Sequence, residues 1–202
     1  MRSYTVKKIC GAPDWNAIPV MPIDNLLWTD SIDITAQAQL CWDADYLYVR
    51  LEAWEKEIRM EETGALAEVC EDSCLEFFLQ PSTERSDYFN FEMNPNRAIW
   101  LGFGPNIENL IRLMVRGVAE MLDSKVEFTE GGWVLSYHIP FAFIRRFFPD
   151  FKAEEGTRMR ANAYKCGDST VKPHYLAWNP IDLPEPAFHC TQFFGELILG
   201  GE

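Results

Sequence analysis

Glu76 and Glu92 have the widest chemical scope in this chain, because each interrupts an alternating stretch that reads as a strand, CLEFFL and YFNFEMNPN. Side chains alternate between the faces of a strand. In the second stretch Phe89, Phe91 and Met93 therefore share one face, and Tyr88, Asn90, Glu92 and Asn94 share the other. In the first, Leu75, Phe77 and Leu79 oppose Cys74, Glu76 and Phe78. A third stretch, MRANAYKC, sets Arg158, Arg160, Asn162 and Tyr164 against Met159, Ala161 and Ala163. If the three strands are neighbours, Glu76, Asn90, Glu92, Asn94, Arg160, Asn162 and Tyr164 meet on one face. Such a set of donors and acceptors can ligate the hydroxyls of a polar ligand. The competing reading is a solvated sheet face with incidental ion pairs, which contribute little.

Residues 167–190 form a long segment rich in Pro, His and aromatic residues, of the kind that carries function. Trp178, in AWNP, is either a stacking platform or a plug for the end of the core; Tyr175 and Trp100 are candidates for a second platform. His174 and His189 are loop histidines whose spacing to Cys166 and Cys190 matches no metal-site pattern. A catalytic reading needs the Glu76 and Glu92 carboxyls about 5–5.5 Å apart for a retaining glycosidase, or about 6.5–9.5 Å apart for an inverting one. A shallow face offers little desolvation to set two carboxyls to different pKa values, and the chain has no phosphate loop, nucleophile elbow or metal-ligand helix.

The elements that must hold these residues are mostly strands. AQAQLCW and YLYVRLEAW flank Asp43-Ala44-Asp45 as a hairpin, GGWVLSYHIP and FFGELIL read as further strands, and PFAFIRRFFPDF as a short helix that buries Phe141, Ile144, Phe147 and Phe148. Residues 105–125 fit a helix or a strand. The whole indicates one all-β domain over 1–202, an antiparallel β-sandwich of jelly-roll or immunoglobulin-like type with one short helix. A net charge of -13 spread along 202 residues repels nucleic acid and anionic membranes. No signal-peptide or membrane-span stretch is present, which reads as cytoplasmic, and the six cysteines, without CxxC pairs, read as free thiols.

In order, CWDADYLYVRLEAWE, VCEDSCLEFFLQP, YFNFEMNPN, WVLSYHIPF, RANAYKCGD, PHYLAWNP and FHCTQFFGELIL resemble family 9 carbohydrate-binding modules, over about residues 14–199. The most specific elements are Asp72-Ser73-x-x-Glu76, the strand ending in Asn94, and Trp178 followed by FHxxxxFG. The resemblance implies a jelly-roll sandwich that binds a carbohydrate without catalysis, with no cofactor beyond a structural calcium. It also implies Glu76 and Asn94 as hydroxyl ligands and Trp178 as a stacking ring. Two features depart from the family. The loop GALAEVCE carries no aromatic where a first stacking Trp stands, and Glu92 replaces an Arg. Relatives of the fold that bind haem raise a redox alternative, for which His174, His189 and Met93 are the axial candidates.

Overall fold

The computed structural model describes residues 1–201. Its strands are β1 (Ser3–Lys8), β2 (Met21–Ile23), β3 (Asn25–Leu27), β4 (Thr35–Trp42), β5 (Tyr46–Trp54), β6 (Cys74–Gln80), β7 (Tyr88–Met93), β8 (Ile99–Gly104) and β9 (Ile111–Arg112). After α1 (Val118–Leu122) come β10 (Lys125–Thr129) and β11 (Gly132–Pro140); after α2 (Phe141–Ile144) come β12 (Arg158–Gly167), β13 (His174–Ala177) and β14 (Gly195–Leu199). The strands join in one continuous sheet in the order β10-β11-β5-β4-β1-β14-β12-β6-β7-β8-β9, with β2 against β4 and with β13 between β12 and β3.

This sheet is mixed, which corrects the expectation of a purely antiparallel fold. The N-terminal strand β1 runs parallel to β14 over Ser3–Val6 and parallel to β4 over Lys7 and Lys8, so it stitches the two halves together. There are also two short α-helices where one was expected. The ambiguous stretch 105–125 divides into a 3-10 turn, the two-residue β9 and α1. The expected hairpin forms because Asp43 Oδ1 accepts from the backbone N–H groups of Asp45 and Tyr46, both at 2.8 Å, an Asx turn that reverses the chain between β4 and β5. No helix among the described residues is long and apolar enough to cross a membrane.

The sheet curls so that the inward faces of both halves share one apolar cluster. Val49, Leu51 and Leu135 from one half are buried with Phe77, Phe91 and Ala161 from the other, and α2 adds Phe141 and Ile144. Alternation along β12 turns Met159, Ala161 and Ala163 inward, and it turns Lys165 inward with them. Lys165 is fully buried. Its Nζ lies 3.2 Å from Glu55, just beyond β5, and donates to the Cys166 carbonyl at 2.8 Å and to Nε2 of His174 at 2.7 Å. Glu55 also accepts from the Trp133 indole at 2.6 Å and from the Ser73 hydroxyl at 3.0 Å. Every partner of this ion pair is thus supplied by the protein, the condition under which a buried pair is tolerated.

Removing one partner leaves the other charge buried and uncompensated. Lys165→Met is expected to cost about 3–5 kcal/mol of stability in denaturant unfolding, and Lys165→Met/Glu55→Gln to recover part of that loss.

Candidate functional site

The outward faces of β6, β7 and β12 meet as the alternation requires. Glu76 stands directly opposite Glu92 across the β6–β7 ladder, and opposite Tyr164 across the β6–β12 ladder. This face is not solvated, because residues 186–190 fold over it. Phe188 stacks on Tyr164 with ring centroids 4.1 Å apart, and the Tyr164 hydroxyl donates to the Phe188 carbonyl at 3.1 Å. His189 packs on Phe78 and hydrogen-bonds the Tyr88 hydroxyl through Nδ1 at 2.7 Å.

Between this cover and the sheet remains a cavity of about 320 Å³, with Glu76, Glu92 and Asp168 among its polar lining and Trp28, Tyr175 and Phe188 as an aromatic wall. Trp28 reaches it because β3 pairs with β13, setting Leu27 opposite Tyr175. Its backbone lies in the left-handed region at φ 53°, its indole N–H donates to the Leu183 carbonyl at 2.7 Å, and its ring meets Tyr175 edge-on at 5.7 Å. Both glutamates are nearly closed off, Glu76 2% and Glu92 7% exposed. Glu76 accepts from the Cys166 thiol at 2.9 Å, and Glu92 accepts from the Asn90 amide at 2.6 Å.

Burial sets the electrostatics. Desolvation, and then the facing charge of Glu92, push the Glu76 carboxyl well above the usual carboxylate range. Desolvation lifts Glu92 to about 7, against the Asn90 hydrogen bond that favours its charged form. Asp168 is raised as well, mainly by burial. Burial lowers His189 to about 4, so its 3.9 Å approach to Glu92 is a contact of a neutral imidazole near neutral pH.

The expected site residues separate into two groups. Glu76, Glu92 and Tyr175 line the cavity, while Asn90 and Tyr164 sit behind it and hold Glu92 and Phe188. The others are engaged elsewhere. Trp178 is 2% exposed within the core, and its ring lies where a Cβ on residue 195 would be, 2.5 Å away, so the Trp and the Gly of the FHxxxxFG motif are packing partners. Asn94 donates to the Glu62 carbonyl and to Asp72 and accepts from the Ala98 N–H, which fixes the preceding loop. Asn162 spends its amide on the backbone of Asn179 and Ala163, and Arg160 donates to the Phe194 and Gln192 carbonyls. His174 belongs to the Lys165 cluster, with Nδ1 donating to the Lys172 carbonyl. Trp100 faces Glu92 in register but lies under the Arg112 guanidinium, 5.1 Å from its ring centre. Trp28 and Phe188 line the cavity without having been expected there, because the pairing of residue 27 with residue 175 leaves no local signal.

The residues named for haem do not come together. Met93 is buried in the core and His174 is bonded to Lys165, so the three haem candidates do not converge on one cavity. Among the described residues, Cys74, Glu76 and Cys166 bring metal-ligating atoms within 4.8 Å of one another. Two thiols and one carboxyl do not suit calcium, which takes about six to eight oxygen ligands.

The model of carbohydrate-binding family 9 matches residues 11–199. The chain belongs to that family. A candidate carbohydrate-binding protein from Bacteroides uniformis superposes with a TM-score of 0.84 at 29% identity, covering 98% of this chain and 99% of that one. A family 9 module from Caldicellulosiruptor kristjanssonii in complex with cellotriose superposes at 0.70 with 16% identity, over 100% of this chain and 95% of that one. The corresponding glucose complex gives 0.71 at 15% identity, over 100% and 97%. No curated protein matches the chain.

Two outcomes follow from burial. Trp178→Ala should cost about 3–5 kcal/mol of stability in denaturant unfolding, as large aromatic truncations in cores do. Glu76 and Glu92 have folded pKa values raised above the unfolded value, so the stability they permit is full below about 4.5 and declines as pH rises through about 7 for Glu92 and through the raised value of Glu76. Melting temperature measured across that window should fall for the parent by more than for Glu76→Gln/Glu92→Gln.

Proposed function

We propose that this family 9 domain binds a mono- or disaccharide, or the end of a longer glycan, non-covalently in the cavity between β6, β7 and residues 186–190. The observation that carries the reading is the cavity itself, where carboxyl groups at the base face an aromatic wall. Sugars present apolar C–H faces that pack on aromatic rings and hydroxyls that bond to carboxyl oxygens. A volume of about 320 Å³ lies at the small end of ligand sites, which favours one or two sugar rings over an extended chain. In this reading Trp28 is the stacking ring in place of Trp178, and Tyr175 and Phe188 complete the wall. Glu76 and Glu92 act as hydrogen-bonding groups, with no bond made or broken.

Titration calorimetry over a panel of mono- and disaccharides is expected to find Kd values of roughly 10 μM to 1 mM. Trp28→Ala should weaken the best ligand by about tenfold or more, since stacked aromatics contribute about 0.5–1.5 kcal/mol beyond the area they bury. The absence of binding across the panel, or a Trp28→Ala protein that binds like the parent, would overturn this assignment.

A further inference from the structure

The charges around the cavity narrow its ligand. We infer that the cavity takes an amino sugar, a saccharide whose free ammonium group sits between Glu76 and Glu92; the inference rests on the saccharide-binding reading above.

Glu76 and Glu92 occupy directly opposed positions of an antiparallel ladder and point to the same face, the arrangement in which like charges destabilise a sheet. Both are more than nine-tenths buried, and Asp168 adds a third carboxyl to the lining. Among the described residues, no Lys or Arg lines this cavity. The cationic groups near it make their direct contacts elsewhere, and their charges only partly offset the burial that raises Glu76 and Glu92. Lys165 points to the opposite face and pairs with Glu55, while Arg112 bonds Glu68 and the Ala67 carbonyl and covers Trp100. His189, on the covering segment, bonds the Tyr88 hydroxyl. The thiols of Cys70, Cys166 and Cys190 and the Tyr175 hydroxyl also line the cavity, Cys74 lies against Glu76 and Cys166 beneath it, and the charge of Glu68 adds to the pressure on Glu92.

A neutral sugar can bond these carboxyls but brings no charge to offset their mutual repulsion. An ammonium group brings three N–H donors and a positive charge, and charge-assisted hydrogen bonds are about twice as strong as neutral ones. The wall of Trp28, Tyr175 and Phe188 suits the same ligand twice, because aromatic faces attract cations and pack against pyranose C–H groups. Because burial favours the protonated carboxyls in the free protein, a cationic ligand must displace protons as it binds. Affinity then rises with pH over the range in which Glu92 ionises, which a neutral sugar does not require.

The test is calorimetry of the full chain with glucosamine, glucose, N-acetylglucosamine and ethylamine, at pH values on either side of about 7 and in two buffers of different ionisation enthalpy. Glucosamine is expected to bind at least about tenfold more tightly than glucose or N-acetylglucosamine, with proton release seen as a buffer-dependent heat, and with its advantage shrinking below the Glu92 pKa. In Glu92→Gln the ratio of glucosamine to glucose affinity should fall toward one, with the melting curve confirming a folded protein. Glucose binding as tightly as glucosamine would overturn the amino-sugar assignment and leave saccharide binding standing. Ethylamine matching glucosamine would also overturn it, since the sugar ring would then contribute nothing. Failure of every sugar to bind would overturn both readings.

Discussion

The ion pair of Lys165 and Glu55 is the constraint on which the rest of the structure depends. A lysine on the inward face of β12 has no water to reach, so it must meet Glu55, and that meeting ties β12 in one half of the sheet to the end of β5 in the other. Strand geometry does the rest. With Lys165 inward, Tyr164 and Cys166 must point outward, one beneath Phe188 and the other against Glu76. A slip of one residue along β12 would place Lys165 in the cavity and Tyr164 in the core. The core pair and the cavity are two faces of one register.

The cavity reverses the usual logic of a binding face. An exposed sheet face with acidic residues is screened by water and asks for no particular partner. Here Phe188 and His189 close over the face, the dielectric falls, and the opposition of Glu76 to Glu92 becomes costly unless protons or a ligand relieve it. The covering segment therefore creates the pocket and also gives its carboxyls their altered affinity for protons. The family contributes the frame, since the chain and the Caldicellulosiruptor kristjanssonii modules share a fold at 15–16% identity.

Much of the frame was legible because period-2 patterns are local. CLEFFL, YFNFEMNPN and MRANAYKC each declare two faces, and the structure pairs β6 with both β7 and β12. The sequence hides what long-range pairing decides. MRSYTVKK has too few alternating apolar residues to announce that β1 bridges the halves in parallel, and nothing near Trp28 says that β3 will bring it to Tyr175. AWNP, beside its prolines, left open a stacking platform or a plug for the core, and long-range packing decides for the plug, because the Trp178 backbone N–H donates to the Ala163 carbonyl and its indole fills the space that Gly195 leaves open. Asn94 and Asn162 show the limit of reading polarity as function, because buried amides are often retained to satisfy backbone groups, and each of these does so here.

The most direct test of the account is a crystal structure of the protein grown with a bound saccharide. The sugar ring is expected against Trp28, within hydrogen-bond distance of Glu76 or Glu92 and beneath residues 186–190, with Trp178 still buried beside Gly195. Density for the sugar on another surface, or a Trp178 ring swung out to stack on it, would contradict the account.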